Sequence, residues 1–322
     1  MNETKSDNLT INLKRKPTSL WRNIFRSFIR NRTAVFGVFI ILLFTLCAIF
    51  APLITVDINP DNNRPAYEEM DFDSPKLPPS LTHLAGTDDR GRDSFTRIVY
   101  GGRVSLQVGI LAMMISTFIG VTAGLAAGYY GKWIDSLIMR IIDAILAFPS
   151  LLLAILMVAI LGPSLRNAML AIGIGFIPSF ARVTRANVLS IREKEYVESA
   201  KAIGASSWRI MWLSIFPNTL SPIIVQISLG MSYAILIEAS LSFLGLGIQP
   251  PTPSWGYMLT TGRELIEYCW WLTVFPGLAI FLTVLAWNFI GDGLRGAMDL
   301  SLIHISEPTR RTPISYAVFC LK

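Results

Sequence analysis

Long stretches of this chain carry no charge, and that restricts its possible folds more than any other feature. Residues 34–56 are twenty-three consecutive residues without Asp, Glu, Lys or Arg, and residues 104–130 extend the pattern to twenty-seven. At ~1.5 Å per helical residue, about twenty residues cross a hydrocarbon core ~30 Å thick. Only 16% of the 322 residues are charged and 52% are apolar. Soluble globular chains carry roughly 25% charge, so the sequence predicts an all-α integral membrane protein.

The uncharged runs predict six transmembrane helices. Residues 34–56 form the first. A cleaved leader would have a shorter apolar region and a small-residue site before Asp57, so a retained helix is expected. Residues 104–130 form the second; they are rich in Gly and Ala, which let membrane helices approach closely. Residues 144–165 form the third, kinked at Pro149. The fourth, 167–181, has only fifteen uncharged residues and contains Pro178. It must run on past Arg182 and Arg185, their side chains snorkelling to the interface. Residues 219–247 form the fifth, broken only by Glu238, and residues 269–290 the sixth, opening with Trp270-Trp271 at the interfacial level.

Six crossings put both termini on one side. With that side cytoplasmic, seventeen Lys and Arg lie inside (1–33, 131–143, 182–218, 291–300) and eight outside. This is the positive-inside bias, and it predicts a multi-pass cell-membrane protein with both termini cytoplasmic. Residues 1–33 hold eight basic and two acidic side chains, Lys14-Arg15-Lys16 among them. That excess reads as a topological address rather than a ligand site. A nucleic-acid binder would interleave such charge with a folded soluble domain, so nucleic acid is not an expected partner.

Catalytic chemistry is missing from the sequence. No G-x-x-x-x-G-K-[ST] occurs, the one Lys followed by Ser or Thr being Lys5-Ser6 in a polar leader, so no P-loop binds ATP here. His83 and His304 are the only histidines, and Cys47, Cys269 and Cys320 are scattered. Neither a metal site nor a disulfide framework is expected. The runs Gly173-Ile174-Gly175 and Gly245-Leu246-Gly247 lie in apolar spans and read as packing positions. The chain is not expected to be an enzyme or to hold a cofactor.

Residues 191–218 stand out because they are too polar to cross and too regular for a linker. Residues 193–203 have helix-forming composition, and Gly204 suits a C-terminal stop. Ser206 or Ser207 is placed to cap a following short helix that Pro217 limits. An interfacial amphipathic helix is the plainer alternative. Within this loop Glu198-Ser199-Ala200, Gly204 and Ser214-Ile215-Phe216-Pro217 fall at set spacings. Those residues resemble the EAA loop of ABC importer membrane subunits, with Ser199, Ser214 and Phe216 replacing Ala, Ile and Leu of the family pattern.

Two further stretches are similar to the same family. Residues 83–93 (His-Leu-Ala-Gly-Thr-Asp-Asp-Arg-Gly-Arg-Asp) look like the segment before the second helix of dipeptide-, oligopeptide- and nickel-type C subunits. Residues 236–259, from Leu236-Ile237-Glu238 through Pro250-Pro251-Thr252-Pro253-Ser254-Trp255, and the ending Gly291-Asp292-Gly293-Leu294-Arg295 match those subunits too. The resemblance covers about residues 20–300.

What it implies is a permease subunit with the importer permease fold, forming half of an ATP-driven translocation pathway for di- or oligopeptides. A nickel or glutathione importer of the same family is the alternative. The implied partners are a homologous second permease, two cytoplasmic ATPase subunits that bind the ATP, an extracytoplasmic substrate-binding protein and the lipid bilayer. Glu198, Ser199, Ala200, Gly204, Ile215 and Pro217 would dock on an ATPase, a stiff element transmitting its closure into the membrane.

Single residues outside the loop carry their own expectations. Glu238 lies within a span, where a carboxylate is costly unless paired or wet, so it either lines the translocation path or fixes helix packing against the partner permease. Gln226, twelve residues earlier, shares its face only loosely. A secondary carrier using Glu238 as a proton site would need an inverted repeat, and none is clear. A non-transporting assembly or sensor subunit is a third class. Asp88, Arg90, Arg92 and Asp93 either face the substrate-binding protein or, as preferred, form an ion-pair and turn network with Asp89 that anchors the second helix. Pro250 to Pro253 predict a stiff extracellular turn with Trp255 at the interface.

These readings divide the chain into a cytoplasmic basic segment (1–33), a first helix (34–56), an extracytoplasmic segment (57–103), a five-helix core with its coupling loop (104–300) and a tail (301–322). The tail has no hydrophobic period and no capping logic. It resembles translated adapter read-through and is set aside from the fold.

Overall fold

The computed structural model describes residues 20–55 and 65–306. Residues 1–19, including Lys14-Arg15-Lys16, residues 56–64 and residues 307–322 lie outside them. Among the described residues the fold is all-helical, apart from a single antiparallel bridge between Thr87 and Asp93.

Amphipathic α1 (Leu20–Arg30) leads into apolar α2 (Arg32–Ile49) through Asn31, whose side chain accepts from the Thr33 and Ala34 amides. That cap satisfies donors the first turn leaves free and sets the angle between the helices. A short α3 (Ala51–Ile54) and a segment of mostly irregular chain follow, and then α4 (Ser94–Tyr130). The second span was expected from residue 104, but helix begins ten residues earlier because Asp93 caps it, accepting from the Thr96 amide at 2.7 Å. Arg97 and Arg103 are thereby helical. Arg103 donates to the Ala48 and Ile49 carbonyls, closing the C-terminal end of α2 with a cation.

α5 (Lys132–Leu146) and α6 (Ser150–Leu161) are bent by 84° at the break before Ser150. The kink expected at Pro149 is thus a corner. α6 has twelve residues, about 18 Å, too short to cross alone, so a crossing in this region needs both helices of the bent pair and not residues 144–165 by themselves. α7 (Leu165–Ile191) runs without interruption through Pro178. Its arginines do not simply snorkel: Arg182 meets Asp143 at 2.6 Å, and Arg185 grips Asp135 at 2.5 and 2.6 Å. Both acids lie on α5, a helix that the uncharged runs did not mark out.

α8 (Glu195–Ala202) and α9 (Ser207–Arg209) form the polar loop. A π-helical segment (Ile210–Ile215) then joins α9 to α10 (Phe216–Phe243), and α11 (Trp255–Glu264) and α12 (Trp271–Ser306) complete the chain. Pro217 was expected to limit the helix after the loop. Instead the helix continues from Ser207 to Phe243, the wider π turns falling directly before the residue that has no N–H to donate. α12 likewise passes the boundary drawn at residue 300. Among the described residues five helices are long and apolar enough to cross a membrane, and the count becomes six if the bent pair is one span.

Close helix approach holds this bundle together, since lipid supplies no hydrophobic drive between helices. Gly120, Gly124 and Gly128 line α4 at one-turn spacing against α7. A Cβ at Gly120 would sit 2.6 Å from that of Phe180, and one at Gly124 would sit 2.5 Å from the Ala181 carbonyl oxygen. The main core gathers Val108, Leu125, Phe180, Ile223 and Leu241 from α4, α7 and α10. Trp255, expected at the interfacial level, packs inside the chain. It is fully buried, with its ring N–H donating to the Ile98 carbonyl at 2.8 Å. Trp271 is buried too, and Trp270 alone of that pair is exposed.

Candidate functional site

The polar loop is built around one turn. The Gly204 amide donates to the Lys201 carbonyl at 3.0 Å and the Ala205 amide to the Ala200 carbonyl at 3.1 Å. This pair of bonds ends α8 as a Schellman motif and requires a left-handed residue, which Gly204 supplies at φ +79°. Ala200 and Ala205 pack on the main core beside the turn. The Ser206 hydroxyl oxygen then caps α9, accepting from the Arg209 amide. Two helices are therefore joined by four residues with little freedom.

The loop is also tied to the membrane helices. Val197 is fully buried and pins α8 to the core. Arg192 donates to the Gly128 carbonyl at the end of α4, and the Lys201 ammonium sits over the Tyr129 ring. Trp208, Trp212 and Phe216 form an aromatic ladder from α9 into α10, with ring centroids 5.4 and 5.1 Å apart.

Of the residues singled out in the sequence, Glu198, Ser199, Gly204 and Pro217 are exposed and Ala200 is half-buried. Ile215 is fully buried in the core and cannot face a partner from this position. The sequence reading passed over Tyr196, Ile203 and Trp208, yet Ile203 is 84% and Trp208 66% exposed on this loop. Large apolar side chains held out on a polar, rigid turn are what a docking element presents.

Glu238 is buried between α4 and α10. Its Oε2 accepts from the Ser105 hydroxyl at 3.0 Å and its Oε1 from the Ser242 hydroxyl at 2.9 Å. Both partners belong to this chain. Ser242 in turn accepts from the Ile248 amide, so the network reaches the turn after α10. Gln226 is half-buried and lies about 18 Å down the helix from Glu238, so the two do not form one site.

At the end of the bundle opposite the polar loop, Asp88 is a hub. It accepts from the Arg90 and Arg92 amides at 2.9 Å each and pairs with the Arg92 guanidinium at 2.7 Å. Buried Arg97, which the sequence reading left unremarked, lies 3.9 Å from the same carboxylate and donates to the Tyr67 carbonyl. Burial and the adjoining Glu68 carboxylate push the Tyr67 phenol above its ordinary pKa. Asp93 caps α4 and meets His83 at 3.0 Å. Asp88 and Arg92 are thus turned inward, while Asp89 and Arg90 present charge at the surface.

Among the described residues no group of His, Cys, Asp and Glu is arranged to hold a metal. An apolar groove of about 530 Å³ opens between α4, α10 and α12, lined by Met113, Phe118, Trp212, Met231 and Trp287 among others.

Comparison with known proteins gives a consistent set of matches. Residues 120–304 match the family described as the binding-protein-dependent transport system inner membrane component. Residues 19–79 match the N-terminal transmembrane domain of oligopeptide transport permease C. The dipeptide transport system permease protein DppC of Alkalihalophilus pseudofirmus is 52% identical, over 87% of this chain and 90% of that protein. The glutathione transport system permease protein GsiD of Pectobacterium atrosepticum is 44% identical, over 88% and 91%. Among solved structures, an inward-facing form of the MetNI methionine ABC transporter aligns with a TM-score of 0.52 at 18% identity, over 62% of this chain and 96% of that one. At that identity the likeness concerns the fold.

Proposed function

The chain belongs to the family of binding-protein-dependent transport system inner membrane components, and on that premise we propose that it is the C-type permease of an ATP-driven importer of di- or oligopeptides. It forms half of an alternating-access pathway, completed by a homologous permease. Two cytoplasmic ATPases supply the energy, and an extracytoplasmic binding protein delivers the cargo. Both termini and the α8–α9 loop face the cytoplasm.

The observation that carries this reading is the loop itself. Its Schellman turn, its buried anchor Val197 and its ties to α4 make it rigid, while Glu198, Ser199, Ile203 and Trp208 are offered outward. A rigid, partly apolar knob passes a displacement of the ATPase directly to α4 and α10, biasing which side of the pathway is open. Pro217, exposed at the head of α10, borders the same contact. On the opposite face Asp89 and Arg90 are the charged side chains available to a binding protein, whereas Asp88 and Arg92 hold the turn.

A short peptide substrate is favoured by the 52% identity to a dipeptide permease, and the 44% identity to a glutathione permease keeps a γ-linked tripeptide in view. The test is reconstitution with the ATPases and binding protein in vesicles, with ATP and no ion gradient. Dipeptide uptake is expected there. A Gly204→Trp variant, strained at positive φ and bulky at the contact, is expected to insert normally yet lose substrate-stimulated ATP turnover. Full stimulation in that variant refutes the docking role, and uptake that needs an ion gradient refutes the importer.

A further inference from the structure

We propose that α1 is a binding surface for the anionic headgroups of phospholipids, gripping the membrane beside the first span. Arg22, Arg26 and Arg30 recur at four-residue spacing and form one exposed stripe along the helix. Among the described residues none of the three has an acidic partner, and the helix contains no Asp or Glu.

The apolar half of α1 is divided. Phe28 packs toward Gly293 of α12, which fixes the helix against the bundle. Phe25 and Ile29, next to the arginine stripe, are left 64% and 52% exposed. A soluble surface would not keep a Phe and an Ile in the open beside three unpaired cations. A membrane interface accommodates both, the rings and branches entering the acyl boundary while guanidinium groups take phosphate oxygens.

The occupant follows from position as well as charge. Only Asn31 separates α1 from α2, whose Val35, Phe36 and Phe39 are exposed where the span meets lipid. The helix is therefore held at headgroup depth by its covalent neighbour. The basic residues read in the sequence as a topological address also serve, once folded into a stripe, as a lipid site. The inference needs the chain to sit in a membrane and does not depend on which substrate is carried.

The full-length chain is reconstituted in nanodiscs of phosphatidylcholine, or of equal parts phosphatidylcholine and phosphatidylglycerol, and hydrogen exchange of residues 20–30 is followed. Exchange is expected to be slowed at least about tenfold by the anionic lipid. An Arg22→Gln/Arg26→Gln/Arg30→Gln variant is expected to lose that difference, while the corresponding Lys variant keeps most of it. α4 and α7 should exchange alike in every sample, which separates loss of lipid binding from misfolding. Equal exchange in both lipids overturns the proposal, as does a Gln variant that still responds. Protection that appears only when the ATPase is added overturns it in favour of a protein occupant.

Discussion

Among the described residues the buried carboxyl of Glu238 is held by two serine hydroxyls and no cation, so its environment is decided by hydrogen bonding rather than by charge pairing. Removing the acceptor is therefore different from neutralising it. In Glu238→Gln the hydroxyls of Ser105 and Ser242 can rotate to meet an amide, and the loss should stay near 1 kcal/mol. In Glu238→Leu two buried hydroxyls lose their acceptor together, at about 2–4 kcal/mol. Thermal denaturation of the purified chain in one detergent separates the two. If the variants melt together, the hydroxyl contacts are not what retains a carboxyl there. On this packing role, uptake per folded molecule should be unchanged in the Gln variant, whereas a path-lining role would lower it.

At the scale of helices, the pairs joining α5 to α7 differ in a way that can be measured. Arg185 and Asp135 meet through two bonds with side chains 33% and 19% exposed, whereas Arg182 and Asp143 make one bond with both more than half exposed. A double-mutant cycle is expected to give about 1 kcal/mol for the first pair and close to zero for the second. Equal couplings would mean that geometry and burial do not set the strength of these contacts. The same pairs mark what the sequence could and could not disclose. Apolar runs and the glycines of α4 announced the spans, and Gly204 announced the end of α8, because each is a local requirement of backbone or bilayer. Asp135 and Asp143 drew no expectation, since nothing local reports a partner that packing brings from 39 or 50 residues away. Ile203 and Trp208 were missed for the opposite reason. A large apolar residue on an amphipathic element is presumed to face inward, and here the rigid turn holds it out.

For the molecule as a whole, the short helix α6 decides the topology. If α5 and α6 together make one crossing, the chain crosses six times, and the loop bearing Ile203 lies on the opposite side from Leu81. If the bent pair enters and returns, α7 carries Ile203 to the same side as Leu81. The six Lys and Arg of residues 182–218 would then share a side with residues 57–103, against the charge bias. The first arrangement is expected, and both positions are exposed enough to report it, Leu81 at 98% and Ile203 at 84%. In a background with Cys47, Cys269 and Cys320 replaced, Leu81→Cys should react with an impermeant maleimide in intact cells. Ile203→Cys should react only after permeabilisation. Labelling of both in intact cells would remove the sixth crossing and with it the cytoplasmic docking loop. Labelling of Ile203→Cys alone would invert the molecule, placing the arginine stripe of α1 on the outer leaflet.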